Sequence, residues 1–545
     1  MLKPFTGKIS LAIIIVFTIA ALLFAFKKTI FSGTREKIND LLNRNKPIQV
    51  NNTDETITSA ELLKKYYGIF GYQQTWTDVT PQHTNYREML RDMLNQADSL
   101  GLDRRDYHDD YLEQYDSISK SNDFEPSVWE SENEVIFTDA AISFLFHIAY
   151  GKEISQISFN GVDYDIDSAR ILRVFNELLI HKNWRQTLDS LEPKTSQYTA
   201  LKRELNRMSS FVRRTPMIDT MSVGLKEESK GVAMYKLQAY NLLPEEKNPD
   251  SITIREFTSS LKLFQQMMGL DTSGTLDKKT KEALSFSLKL RLAQIKQSLN
   301  YWRWTGRLKE PEFILVNIPA ARLQIVNRDS TKDLSMRVIV GKTENQTPSF
   351  TAYITKVITY PYWTVPFSIA VKEMLPKIRK NIGYLEQNNL QVINNKGKEF
   401  DPATLPWGKF SQKYFPYIIR QSTGCDNALG VLKFDLNSPF SIYLHDTNNR
   451  NLFANKNRFM SHGCVRVEKP MQLAHFILET GLDSAVVAKL DSCMRDQKPS
   501  EFKLKKKFPV LLLYMTADVD ENNNLKFYKD IYELEEKSIV KGNKH

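Results

Sequence analysis

At 545 residues the chain has room for three or four domains with full cores. A content of 41% hydrophobic and 11% aromatic residues excludes wholesale disorder. The net charge of +10 comes from 74 basic residues dispersed among 64 acidic ones, which reads as a basic surface and argues against a nucleic-acid-binding face.

The chain begins with Lys3 and Lys8, then an uncharged apolar run over 9–26, closed by Lys27 and Lys28. That run is long enough to span a bilayer, and no small-residue cleavage site follows it. Residues 1–28 are therefore expected to be an uncleaved transmembrane signal-anchor, and 29–55 a polar tether. The basic residues after the run outnumber those before it, so charge alone argues for the opposite orientation.

Over 56–220 the pattern is helical. Ala60, Leu63, Tyr67 and Phe70 share one helical face, as do Met89, Leu90, Met93 and Leu94. The stretch 140–147 is apolar nearly all round and predicts a buried helix, with His147 as a core histidine. The triplet His108-Asp109-Asp110 reads as a solvated loop in preference to a metal site. Over 230–288, Phe257, Leu261, Phe264 and Met268 form one stripe. A turn follows at Asp271-Thr272-Ser273-Gly274, and Asp277 is placed to cap a short helix holding Thr280 and Leu284. Residues 291–305 predict a further helix.

From Glu312 the period shifts to that of strands, and a mostly-β domain is expected over 310–535. Between 370 and 417 the strand pattern breaks into short helical and irregular pieces marked by Gly383, Gly397 and Gly408. Strands resume at Ile418 and at Gly430 to Phe434. A helix is expected from Pro470 to Thr480, then a closing hairpin, and 536–545 is a tail.

The chemistry concentrates in 443–467. His445 ends the alternating run Phe440 to Leu444. A polar loop then leads to Ser461-His462-Gly463-Cys464 and the β-prone Val465-Arg466-Val467. A free thiol titrates near ~8.5, and only its thiolate is a strong nucleophile, so a catalytic cysteine needs an imidazole brought beside it by the fold. Two strands joined by one loop can place His445 beside Cys464. Gly463 allows close backbone approach, and consecutive N–H groups there can form an oxyanion hole. The plainer alternative is a buried small hydrophobe after an ordinary turn. Cys425 and Cys493 read as inert, with a bridge between them left open. No metal-ligand cluster or phosphate-binding loop stands out.

A histidine, a spacer, then S/T-H-G-C followed by V-R-V resembles the active-site signature of the YkuD-type L,D-transpeptidases, which cross-link peptidoglycan. Gln346-Thr347-Pro348, Pro361 to Pro366 and Asn427-Ala428-Leu429-Gly430 resemble other stretches of that family. Phe264-Gln265, Gly269-Leu270, Gly274, Thr280 and Leu284 resemble the three-helix peptidoglycan-binding domain, and 56–220 resembles the family's helical scaffold. The resemblance implies a multidomain α+β protein whose 370–417 insert is a capping subdomain. It implies acyl transfer through a thioester, without cofactor or metal, between peptidoglycan stem peptides, with release of D-alanine. Cys464 would be the nucleophile and His445 the base and acid, oriented by the backbone carbonyl of Asp446. The N–H groups of His462, Gly463 and Cys464 would bind the oxyanion. Arg466, whose planar fork suits carboxylates, would hold a stem carboxylate. Tyr443 and Trp363 either line the donor pocket or simply pack. The resemblance also implies acylation by carbapenems, an anionic cell-wall polymer as partner, and an inner-membrane anchor with the body in the periplasm. Transfer to water or to a protein side chain, and wall binding without catalysis, are the alternatives.

Overall fold

The computed structural model describes residues 35–534 apart from 45–46, 51–52, 73–74, 77–80, 119–129, 225–228, 328–333 and 482–483. The apolar run 9–26 and the tail lie outside the described residues. Among the described residues no helix is long and apolar enough to cross a membrane. The chain divides into two compact units. One comprises residues up to 153, 165–221 and 287–307; the other comprises 154–164, 222–286 and 308–545.

The first unit is helical except for the hairpin β1 (Ile48–Val50) and β2 (Thr53–Glu55). Its centre is the helix Glu130–Tyr150, in which Val135, Ile136, Phe137, Ala140, Ile142, Phe144 and Leu145 are all buried. Helix Ala60–Phe70 lays Leu63, Tyr66 and Tyr67 on this core, and helix Pro81–Leu94 adds Met89, Leu90, Met93 and Leu94. His147 accepts or donates to the Tyr107 hydroxyl at 3.2 Å, and burial draws its pKa down to about 3, as suits a neutral core histidine.

His108 corrects the sequence reading. Instead of lying in a solvated loop, it is buried between two carboxylates, with Nδ1 2.5 Å from Glu55 and Nε2 2.9 Å from Asp139. Asp139 also accepts the backbone N–H groups of Thr58 and Ser59 at 3.1 and 2.8 Å. The adjacent Asp109 pairs with Arg104 at 2.6 Å. Thus one imidazolium ties the hairpin and the start of the first helix to the central helix.

In the second unit three helices, Ser229–Ala239, Ile254–Met267 and Lys278–Ser285, pack around Leu237, Phe257, Leu261, Phe264 and Leu284. Gln265, fully buried, explains why glycine and threonine stand at 274, 275 and 280. Its amide donates to Thr275 O at 2.9 Å and Thr280 Oγ1 at 3.0 Å, and accepts from Gly274 N at 2.8 Å.

The rest of the second unit is a closed sheet. Its strands are β3 (Glu312–Asn317), β4 (Arg322–Asn327), β5 (Ser335–Gly341), β6 (Phe350–Thr359), β11 (Leu432–Leu436), β12 (Leu444–His445), β13 (Phe459–Ser461), β14 (Val465–Val467) and β15 (Ser500–Leu513). They run in the order β13-β5-β14-β12-β11-β6-β15-β3-β4, and β4 pairs back onto β5, which closes the ring and leaves β13 as an appendage. Closure removes the edges that an open sheet exposes. Helices Pro470–Gly481 and Ser484–Arg495 seal the core with Leu473, Ala474, Ile477 and Leu490. A short pair, β16 (Ala517–Val519) and β17 (Leu525–Phe527), ends the unit.

Between β6 and β11 the chain leaves the ring to build a separate layer: β7 (Trp363–Thr364), β8 (Leu390–Ile393), β9 (Glu399–Phe400) and β10 (Ile418–Gln421), in the order β7-β10-β8-β9. It has its own core of Val365, Val371, Leu375, Ile378, Trp407, Phe410 and Ile419. This cap recruits Trp363 and Gln421, on either side of the 370–417 segment, because β10 needs β7 as its outer partner.

His108 yields a stability prediction. Burial alone would lower its pKa, but the bonds to Asp139 and Glu55 outweigh it and hold the value up at about 9 against 6.5. A raised histidine pKa contributes in full below the unfolded value and is lost as pH rises through the folded one. His108→Ala should cost about 3 kcal/mol, the scale of breaking a buried pair. Denaturant unfolding should show that the difference from wild type shrinks as pH passes from below 6.5 to above 9.

Candidate active site

Strands β12 and β14 run parallel, with Leu444 opposite Val465 and His445 opposite Arg466. Alternate residues of a strand share a face, so Tyr443, His445, Cys464 and Arg466 come to one side of the sheet, with Cys464 diagonal to His445. β11 pairs antiparallel on the other edge and sets Lys433 opposite His445. The rings of Tyr443 and His445 lie 5.5 Å apart, and Lys433 Nζ sits 4.3 Å from the Tyr443 ring centroid while bonded to Asp435 at 2.7 Å. The Trp363 side chain hydrogen-bonds Tyr443, so the cap's first strand contributes to the same place.

The expected run Phe440 to Leu444 is strand only at Leu444–His445. Phe440 instead packs on Phe350 at 5.2 Å, and its carbonyl accepts the Ser438 hydroxyl at 3.0 Å, which turns the chain. As a result the Ser441 carbonyl faces Cys464, whose thiol donates to it at 3.6 Å. Among the described residues the thiol makes no hydrogen bond to His445.

The Ser461-His462-Gly463-Cys464 loop is pinned from within and below. Ser461 Oγ donates to the Cys464 carbonyl at 2.6 Å and accepts the Gly463 N–H at 3.1 Å. Thr347 Oγ1 donates to the Gly463 carbonyl at 2.7 Å. Gly463 has φ +113, a conformation that disfavours any side chain. Its N–H is already engaged, so of the three expected oxyanion donors only those of His462 and Cys464 stand apart from Ser461. The His462 side chain turns outward, Nε2 lying 2.7 Å from Oε1 of Glu373 in the cap.

His445 is 4% exposed. Burial, with help from the charges of Arg466 and Lys433, draws its pKa down to about 3, against an opposing pull from the backbones of Asp446 and Leu429. Those two backbone groups face the ring, although Nδ1 itself completes no hydrogen bond. The Asp446 carboxylate serves a different purpose. It accepts the Val431 N–H at 3.1 Å and pairs with Arg450 at 2.7 Å, in space left by Gly430, where a Cβ would fall 2.4 Å from its oxygen. Burial pushes the Cys464 thiol up; Tyr443, Lys433 and Arg466 pull it partly back. Arg466 has its Nε buried without a partner, and among the described residues no carboxylate pairs with it. Burial lowers its pKa. All three cysteines are free, Cys425 exposed and Cys493 buried, so the bridge left open by the sequence is not formed.

Lys433 and Glu373 lie in stretches that resemble the family, but the sequence reading gave neither a place in the site. Lys433 sits at an alternating strand position next to Phe434, which fits a solvent-facing lysine as well as a site residue. Glu373 belongs to a separate layer, and no local pattern links it to His462.

A family model described as an L,D-transpeptidase catalytic domain, YkuD, matches residues 311–487, the ring and cap that carry this site. The chain carries a YkuD L,D-transpeptidase catalytic domain. A second model, described as a Scaffold domain, matches 61–205, all but 154–164 of it in the helical unit. A protein of Haemophilus influenzae named "Putative L,D-transpeptidase" is 39% identical over 226 residues, which is 41% of this chain and 45% of that protein. The chain thus spans less than half the length of the curated relative that it matches. Both models fall on separate compact bodies, so the protein is multidomain, with a helical N-terminal region and a mostly-β YkuD domain.

The electrostatics of the YkuD site predict a poorly ionised resting nucleophile. In a Cys425→Ala, Cys493→Ala background, the pH midpoint for iodoacetamide alkylation of Cys464 should lie above the ~8.5 of a free thiol. Lys433→Met removes a charge that favours the thiolate and should move it higher. A midpoint below that of a free thiol would contradict this reading.

Proposed function

We propose that the protein is a peptidoglycan L,D-transpeptidase acting through a thioester on Cys464. The observation that carries this reading is the convergence of Cys464, His445 and an unpaired, half-buried Arg466 on one face of two parallel strands. A buried guanidinium without a carboxylate is costly unless a ligand supplies one, and a stem-peptide carboxylate has the matching planar fork. Trp363 and Tyr443 border the same face and suit the donor's aliphatic chain.

In the first half-reaction the Cys464 thiol proton passes to His445, and the sulfur attacks the carbonyl carbon between an L-centre and D-alanine. The backbone N–H groups of Cys464 and His462 hold the oxyanion. The carbon–nitrogen bond then breaks, and His445 returns its proton to the departing D-alanine amine. In the second, an amine from a neighbouring stem gives a proton to His445 and attacks the thioester. The carbon–sulfur bond breaks and Cys464 regains its proton. Burial keeps His445 neutral in the resting site, so its nitrogen is free to accept a proton when the reaction calls for one.

The three helices of 229–285 would bind wall polymer and raise the local substrate concentration. Residues 9–26 would anchor the chain in the inner membrane with its body in the periplasm, where the substrate lies. Carbapenems would acylate the same thiol.

Incubation with muropeptides and mass spectrometry tests the reading. Wild type should release D-alanine and form cross-linked dimers; Cys464→Ala should do neither, while Cys425→Ala retains both. Arg466→Met should lower kcat/KM for the donor by about 10²-fold, as for loss of a buried charged contact. Cys464→Ala should still sediment with sacculi, which separates wall binding from catalysis. Full D-alanine release by Cys464→Ala would sink the mechanism.

A further inference from the structure

The face that carries Cys464 is cationic: Lys433 and Arg466 both point into it. That suits a donor bearing a carboxylate. The acceptor proposed above carries the opposite charge, because a free amine is an ammonium at neutral pH, and Asp435, the carboxylate beside Lys433 on the strand face, is already paired with Lys433 and Lys356. The complementary charge comes from the cap. Helical residues Ala370–Met374 form a π-turn, a local widening often found at functional positions. Ala370, Val371 and Met374 are buried in the cap core and leave Lys372 and Glu373 outside. Glu373 is held by one contact, the 2.7 Å bond from its Oε1 to His462 Nε2. His462 belongs to the loop that ends in Cys464, and the backbone of that loop is fixed by Ser461 and Thr347. The carboxylate is therefore held at the nucleophile's own loop, and among the described residues its second oxygen, Oε2, has no partner. The other charged residues of the same segment, Lys372, Lys377, Arg379 and Lys380, are all basic and exposed, so Glu373 is the lone anion of that stretch.

We propose that Glu373 is the specificity-determining carboxylate for the acceptor: it binds the ammonium of the incoming stem peptide and brings that nitrogen to the acylated Cys464. This rests on the acyl-transfer reading above and assigns the amine, in place of water, as the acceptor. Glu373 takes part in no bond change. The bound ammonium first loses one proton to solvent; the free amine then attacks the thioester carbon and gives its second proton to His445, the carbon–sulfur bond breaks, and His445 passes that proton to the Cys464 sulfur. His462 acts as the positioning residue that keeps Oε1 occupied and Oε2 presented.

Glu373→Gln tests this, since the amide oxygen can still accept from His462 while the charge is gone. With a tetrapeptide donor, acylation of Cys464 should proceed at the wild-type rate. For transfer to a stem peptide with a free side-chain amine, KM should rise about tenfold, the scale of one charged hydrogen bond, and hydrolysis should gain in proportion. Hydroxylamine is uncharged at neutral pH, so its attack on the acyl-enzyme should be unchanged. An unaltered KM for the cationic acceptor would overturn the assignment, as would an equal loss against hydroxylamine, which reports a positional effect on the loop. Absence of any acyl adduct on the wild-type protein would overturn the acyl-transfer reading itself and is seen before the variant is examined.

Discussion

Two very short parallel strands, Leu444–His445 and Val465–Val467, set the register on which the site depends. Side chains in a strand alternate between faces, so a slip of one residue would send either His445 or Cys464 to the opposite side of the sheet. So short a pair cannot hold register by its own ladder. It is held from outside: β11 and β5 flank it, Leu444, Val465 and Val467 are fully buried in the ring's core, and Thr347 clamps the turn before Cys464. The closed sheet earns its importance here, because a ring with no free edge leaves neither strand room to slide.

Placing these groups in a dry face has an electrostatic consequence. Burial raises the thiol's pKa and lowers that of the imidazole, so both resting groups are neutral and a thiolate–imidazolium pair is disfavoured. Lys433 and Arg466 act in opposite senses on the two. Each favours a thiolate, and each disfavours a protonated His445. On the reading proposed above, a carboxylate-bearing donor at Arg466 would offset both effects of that guanidinium, its repulsion of imidazolium and its support of the thiolate, and would leave Lys433 as the cation that favours the thiolate.

The local arrangement of the motif was legible in the sequence, and its surroundings were not. The expectation that two strands joined by one loop bring His445 and Cys464 to one place needs only residue order and strand alternation, and the register agrees with it. The helical stripes of 257–268 announced a helix for a similar local reason. Gln265 shows why short motifs work: its three buried bonds demand particular partners at Gly274, Thr275 and Thr280. His108 was misread because its partners, Glu55 and Asp139, are distant in sequence, and a run of three polar residues looks solvated when read alone. The loss of strand at Phe440 to Tyr443 has the same cause. Alternation there is real, but Phe440 finds Phe350, and that tertiary contact overrides β propensity.

The cap follows from a comparable division of labour. Its core is separate from that of the ring, so the two layers are stabilised independently. The polar contact it makes with the nucleophile loop, Glu373 with His462, leaves both side chains partly exposed at 46% and 36%. Pairs of that kind contribute about 0–1 kcal/mol. A hold this weak adds little to stability, yet it orients the Glu373 carboxylate beside the loop that ends in Cys464. On the reading proposed above, that fixed charge would decide which end of an incoming peptide meets the loop first.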